Sequence, residues 1–316
     1  MAPRSTVGIR EVGPREALQA HPQKLPTDKK IELIDALLAA GVTKLNAISL
    51  VSPRAMPHMA DAEDVLTGLG PRPDVQISAL VPNERGMVRA ESLAGRGLLD
   101  HAFLLHAATA SVLQANGLPP SLEENLARIA ELAHRAKAGG MTTGVFVSAA
   151  FGCSMEGQVQ PATVLDTVRQ LADNPDVDEI VISDSTGQAD PYQVDRMLTD
   201  VASCVNGKPV TVHLHDSRGA GLANAVAAIG SPIKDLTLDT SFGGLGGDIP
   251  FIPEAAGNIS TEDLVAMLDG MAVASGIDSA AVAAAARAYR DWTSVPLRSR
   301  LPDVGPVRWK AAHVAG

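Results

Sequence analysis

Along the whole chain, short apolar runs rich in β-branched residues alternate with stretches whose apolar positions recur at helical spacing. Eight runs read as strands: 7–12, 44–49, 76–81, 101–106, 142–148, 179–183, 210–215 and 236–240. A polar loop is expected after the first run, then a helix near 27–40 that Gly41 stops. Further helices are predicted near 61–69, from Asn83, from Ser121, near 162–172, from about 191 to 202, near 222–229 and from Thr261. The helix at Ser121 opens S-L-E-E, a capping-box arrangement. After Asp278 come an Ala-rich helix and a tail, 298–316, that carries Pro and Arg.

Eight strand–helix repeats with no second composition regime predict an α/β fold, a (β/α)8 barrel with an extra C-terminal helical segment. A doubly wound open sheet would pattern similarly, but eight repeats favour closure. The expected organisation is a barrel over 1–276, with 277–316 packed on it or placed at an oligomer contact. No linker divides the chain.

Composition narrows this picture. With 316 residues and 46% apolar content the chain can bury one large core; aromatics are only 3%, and Ala, Val, Leu and Ile suit a helix-covered parallel sheet. A net charge of −10 argues against nucleic acid or an anionic membrane surface as partner. No apolar run approaches the ~18 residues of a spanning helix. The opening M-A-P-R-S-T-V lacks the apolar core of a signal peptide. Cys153 and Cys204 make no disulfide framework. A soluble cytoplasmic protein is expected.

Barrel active sites lie at the carboxyl ends of the strands, and polar residues collect there. They are Gly13-Pro14-Arg15-Glu16 after strand one, Ser49 to Arg54 after strand two, Asp184-Ser185-Thr186 after strand six, and Asp248 and Asn258 after strand eight. Strand seven, V-T-V-H-L-H-D at 210–216, ends in two histidines. Residues two apart on a strand share a face, so His213 and His215 stand side by side and can share a divalent ion or form a buried pair without one. Glu16 and the side-chain carbonyl of Asn258 would add oxygen donors. Together with the imidazoles they suit Mg²⁺ or Mn²⁺, with Zn²⁺ possible. Arg15 could hold a substrate oxygen in its planar fork.

These residues lie within a longer resemblance. E-V-G-P-R-E-A-L-Q at 11–19 resembles the E-V-G-P-R-D-G-L-Q opening of the 3-hydroxy-3-methylglutaryl-CoA lyases, members of the DRE-TIM metallolyases. The match continues in family order through S-L-V-S-P-R (49–54), F-G-C-S-M-E-G (151–157), S-D-S-T-G (183–187), V-H-L-H-D (212–216), G-L-A-N (221–224), G-G-L-G-G (243–247) and A-G-N-I-S-T-E-D-L (256–264). The resemblance covers roughly 7–275. It implies a barrel lyase whose divalent metal is held by Glu16, His213, His215 and Asn258. It also implies that Arg15 polarises the acyl oxygen, that His213 takes part in proton transfer, and that Asp184 lies near the substrate's hydroxyl. Gln19, Asn46, Ser52 and Arg54, at the active face, are the candidate substrate contacts.

Four positions depart from the family pattern. Glu16 replaces an aspartate, Ala17 a glycine, and Asn46 a glutamate on strand two. Asp248 replaces the cysteine of a mobile lid, in a loop one residue longer. A thiol of pKa near 8.5 can give a proton at pH 7, whereas an aspartic acid near 3.9 is protonated about one time in a thousand unless its site raises it. Asp248 is therefore expected as a base, a polar substrate contact or a loop residue. The expected activity is a metal-dependent carbon–carbon lyase acting through a stabilised enolate on a 3-hydroxyacyl or hydroxy-acid substrate, free or as its CoA thioester. The same site run forward as a condensing enzyme, or a barrel that binds a metal or acyl ligand without catalysis, are the alternatives. Family analogy also points to a homo-oligomer, a dimer or larger.

Overall fold

The computed structural model describes residues 4–20, 24–247 and 257–307. Eight parallel strands close into a barrel in sequence order. They are β1 (Gly8–Glu11), β2 (Lys44–Ser49), β3 (Gln76–Leu80), β4 (His101–Ala107), β5 (Thr142–Ser148), β6 (Glu179–Asp184), β7 (Val210–Leu214) and β8 (Leu236–Thr240). Closure is made by β8 pairing with β1 from Gly8↔Thr237 to Glu11↔Thr240. The fold is the (β/α)8 barrel that the repeats predict.

The helices are α1 (Gly13–Ala20), α2 (Thr27–Ala39), α3 (Ala62–Leu69), α4 (Glu84–Ala94), α5 (Ala110–Ala115), α6 (Leu122–Ala138), α7 (Pro161–Asp173), α8 (Pro191–Cys204), α9 (Gly221–Gly230), α10 (Thr261–Gly270), α11 (Ser279–Thr293) and α12 (Leu301–Val304). Their apolar faces cover the outside of the barrel, where Leu33, Ile34, Leu37, Ile129, Val168, Leu198 and Leu264 are fully buried. Ser121 caps α6 by accepting from the Glu124 N–H at 3.2 Å.

The stretch after β1, expected as a polar loop, is helical. Its start is capped from outside the helix: the buried Glu11 carboxylate accepts the Gly13 N–H at 2.7 Å. Pro14 sits where a missing N–H costs nothing, and Val12 O accepts from the amides of Arg15 and Glu16 at 3.1 and 2.8 Å. Gly13 is required by crowding, since a Cβ there would lie 2.4 Å from the Phe242 ring. This helix carries Arg15 and Glu16 to the barrel mouth.

Inside the barrel, Phe103, Phe146 and Val181 form a small apolar cluster. Beside it Arg10, Glu179 and Asp239 are buried as charged side chains, although branched aliphatics commonly fill such interiors.

Candidate active site

Strand register assembles the site. Asp239 on β8 pairs with Arg10 on β1 and with His213 on β7, which puts the three residues at one level. His215 lies one residue beyond β7, where it forms an antiparallel bridge with Asn258. That bridge is continued by Asp216 N–H to Gly257 O at 2.9 Å and Ile259 N–H to Leu214 O at 3.1 Å. The segment after 256 is thus laid along the ends of β7 and β8, and Asn258 arrives beside the histidines.

Glu16, His213 and His215 converge, each offering a ligand atom within 4.8 Å of the others, and all three are buried. The two Nε2 atoms face each other at 3.1 Å. Glu16 Oε1 is 3.5 Å from His213 Nε2, and its Oε2 is 3.9 Å from His215 Nε2. Asn258 Nδ2 donates to Glu16 Oε2 at 2.6 Å, while its Oδ1 is buried without a partner among the described residues. Gly246, at φ +96°, passes so close that a Cβ would lie 2.9 Å from Asn258 Nδ2 and 3.0 Å from Glu16 Cβ.

The electrostatics fit the same grouping. Burial works against the charge of Glu16, but Arg15 and the two histidines overcome it and hold its pKa at about 2. Arg15 Nη2 is 2.6 Å from Glu16 Oε1. Burial also opposes a charge on His213, yet Glu16 and Asp239 raise its pKa, whereas burial and the neighbouring His213 depress His215 to about 4. His213 Nδ1 rests on Asp239 Oδ2 at 3.0 Å. A carboxylate on the far nitrogen of an imidazole is the arrangement that presents the near nitrogen to a metal. Two imidazoles, one carboxylate and an orphaned amide oxygen in one buried knot are a donor set a divalent cation fits.

The other candidate residues lie as follows. Asp184 is fully buried and accepts the backbone N–H groups of Gln188 and Ala189 at 2.9 and 3.0 Å, so both its oxygens brace the loop after β6. Burial raises its pKa. Asn46 is fully buried with neither side-chain atom partnered among the described residues, and the Gln19 Oε1 and Arg15 Nε atoms are in the same condition. Ser52 and Arg54 are exposed in the turn after β2 and do not join the cluster. Asp248 lies outside the described residues. The glycine run 243–247 starts as a packed 3-10 turn, Phe242–Gly244. Glu11 accepts the Phe242 N–H at 3.1 Å, and Glu262 accepts the Gly243 N–H at 3.0 Å.

Sequence reasoning missed Glu11, Glu262, Arg10 and Asp239. Glu11 stood inside a recognised motif with no role assigned. The signal for Asp239 was an acid within the short strand L-T-L-D-T, next to the strand of the histidines.

The comparisons with known proteins agree with this geometry. The family model described as HMGL-like matches residues 6–288. The chain belongs to the HMGL-like family. Among HMGL-like relatives, the (R)-citramalyl-CoA lyase of Chloroflexus aurantiacus is 37% identical over 319 residues, covering 95% of each chain. The mitochondrial hydroxymethylglutaryl-CoA lyase of Mus musculus is 35% identical, over 86% of this chain and 81% of its own. The solved structure of an HMG-CoA lyase from Acinetobacter baumannii, in complex with coenzyme A and 3-methylmalate, superposes with a TM-score of 0.87 at 32% identity, covering 96% of both chains. These relatives are carbon–carbon lyases, and this HMGL-like protein is an enzyme of that type. Among the described residues no helix is long and apolar enough to cross a membrane.

Proposed function

We propose that the protein is a divalent-metal-dependent lyase that cleaves a carboxylated 3-hydroxyacyl-CoA thioester into an acyl-CoA and an oxo acid. The observation that carries the reading is the buried knot of Glu16, His213, His215 and Asn258 with Arg15 at its edge. The substrate class comes from the relatives' names and from the coenzyme A and 3-methylmalate bound to the Acinetobacter enzyme. In the reaction the 3-hydroxyl loses its proton, the C2–C3 bond breaks, and its electrons pass into the thioester as an enolate that is protonated at C2.

Glu16, His213, His215 and the Asn258 carbonyl would hold the ion, with Mg²⁺ or Mn²⁺ the natural occupants and Zn²⁺ a third. When bound, a divalent ion supplies positive charge at oxygen as negative charge develops there. Arg15 has one guanidinium nitrogen on Glu16 and an unpartnered buried Nε, so it can aim its remaining donors at the same oxygen. Glu16, kept ionised well below neutrality, neither competes for protons nor releases Arg15 at working pH. His213 would enter as a ligand: its Nδ1–H is given to Asp239 and its Nε2 faces the knot, so a bound metal would leave the ring no nitrogen free to exchange a proton with substrate. Among the described residues both amide atoms of Asn46 and the Oε1 of Gln19 lack partners; Asn46 is assigned to a substrate oxygen and Gln19 Oε1 to accept from a substrate hydroxyl.

The test is direct. Metal-stripped protein, with and without Mn²⁺ or Mg²⁺, is offered citramalyl-CoA and hydroxymethylglutaryl-CoA. Acetyl-CoA is expected to appear only with metal, accompanied by pyruvate from the first thioester or acetoacetate from the second. No acetyl-CoA from either compound in the metal-loaded state overturns the assignment.

A further inference from the structure

We propose that Arg10 is a positioning residue for the metal knot, acting through Asp239 to fix the ring of His213. The inference rests on the metal reading above, but its evidence is separate and lies below the mouth, within the barrel.

Arg10 is fully buried on β1. Its Nη2 makes two hydrogen bonds to the Glu179 carboxylate, at 2.8 and 2.7 Å. Its Nη1 reaches Asp239 Oδ1 at 3.3 Å, and the guanidinium carbon lies 4.5 Å from the centre of the Phe103 ring. Thr211 on β7 donates to Glu179 from the other side. Asp239 in turn gives Oδ2 to His213 Nδ1 at 3.0 Å. One continuous chain therefore runs Glu179–Arg10–Asp239–His213, and it ends in the knot.

A buried ion pair is weak evidence for stability, because desolvating the charges offsets their attraction, and well-packed apolar residues of similar volume often do as well. What aliphatic packing could not do is orient Asp239. Among the described residues the carboxylate has two side-chain partners, Arg10 on one oxygen and His213 on the other. Removing the guanidinium leaves nothing to set its rotation, so the acceptor for His213 Nδ1–H is no longer held in place. With that acceptor fixed, His213 carries its proton on Nδ1 and turns the Nε2 lone pair toward Glu16 and His215. Outer partners of this kind are typically worth 10–100-fold in metal affinity.

The planar fork matters as well. Arg10 touches two carboxylates on different strands at once, a span that the single ammonium of a lysine covers poorly. Lysine at this position therefore preserves the charge and loses most of the orientation.

The experiment uses full-length protein stripped of metal. Mn²⁺ affinity is read by electron paramagnetic resonance of the free ion, and the protonated nitrogen of His213 by nitrogen-15 NMR on the metal-free form. The variants are Asp239→Asn, Arg10→Lys, and the double change Arg10→Met with Glu179→Gln, which removes the Arg10–Glu179 ion pair and leaves the net buried charge unchanged. Asp239→Asn and the double variant are expected to bind Mn²⁺ about 10–100-fold more weakly, and to show His213 with its proton shared between the two nitrogens. Arg10→Lys should fall between them and the unaltered protein. A folded double variant that binds Mn²⁺ like the unaltered protein and keeps the Nδ1–H form overturns the proposal. If the double variant does not fold, Arg10→Lys decides: an unchanged Kd overturns the proposal and a several-fold weaker one supports it. Failure of the unaltered protein to bind Mn²⁺ would sink the metal reading instead, while the NMR comparison still judges what Arg10 does to His213.

Discussion

His106 shows at the scale of one residue how burial alone sets a pH response. It is fully buried on β4, with Nδ1 2.9 Å from the Asn125 amide nitrogen, and burial depresses its pKa to about 4. In the unfolded chain the same imidazole titrates near 6.5. Above that pH both states are neutral and stability is complete. Between 6.5 and 4 the unfolded chain takes up a proton that the folded protein refuses, so stability falls as pH drops, by about 3 kcal/mol for this group, and levels off below. Urea unfolding of the unaltered protein and of His106→Gln at pH 7, 6 and 5 checks this. Whatever its stability at pH 7, the variant should lose less on acidification. Equal slopes would mean that His106 is not the group responsible. His101, pushed to about 4 by burial against the opposing charge of Glu179, adds a second share to the same acid limb.

The turn that follows β8 is the element on which the site depends. Gly246 adopts φ +96° and leaves no room for a Cβ beside Asn258 and Glu16, so Gly246→Ala meets backbone strain and a clash together. Mn²⁺ affinity should fall at least about tenfold through displacement of two proposed ligands, with a stability loss of roughly 1–3 kcal/mol. Gly230→Ala, at the end of α9 with open space around it, is the control and should be neutral or slightly stabilising. Thermal melts with metal titrations separate the two. Much at this scale was legible beforehand. Strands such as Thr142–Ser148 are runs rich in β-branched and aromatic residues that follow turn residues, and they declare themselves. The donors Glu16, His213, His215 and Asn258 could be placed together once eight repeats implied closure. Helix α1 was not legible, because its cap is a strand carboxylate, Glu11, two residues before Gly13. The packed start of the glycine run was hidden for a similar reason: Glu262 lies 19 residues beyond the Gly243 amide it holds. Arg10 and Glu179 are 169 residues apart, and only strand register shows that they meet.

At the scale of the molecule, the C-terminal segment bears on the turn that follows β8. Tyr289 of α11 packs edge-on against Phe242, with ring centres 5.1 Å apart. The chain then turns back so that the amides of Arg298 and Ser299 donate to Gly243 O, at 2.8 and 3.1 Å. The next two amides, Arg300 and Leu301, donate to the Asp263 carboxylate at 2.8 Å each. A side chain at Gly243 would meet Leu297, and one at Gly244 would meet Arg298. The turn is thus held between Glu11 and Glu262 on the barrel side and residues 297–301 on the outside. Ending the chain after Pro296 removes, among other contacts, these four hydrogen bonds, worth roughly 1 kcal/mol each, and a fall in Tm of at least roughly 10 °C follows for a protein of this size. The closed barrel, paired without the tail, should keep its far-ultraviolet circular dichroism. Turnover should drop more than stability explains, because the freed turn carries Gly246 and leads toward Asn258. Measuring turnover well below the lowered Tm isolates that effect. A truncated protein that is merely less heat-stable, with its turnover intact, would show that the C-terminal segment braces the fold without shaping the site.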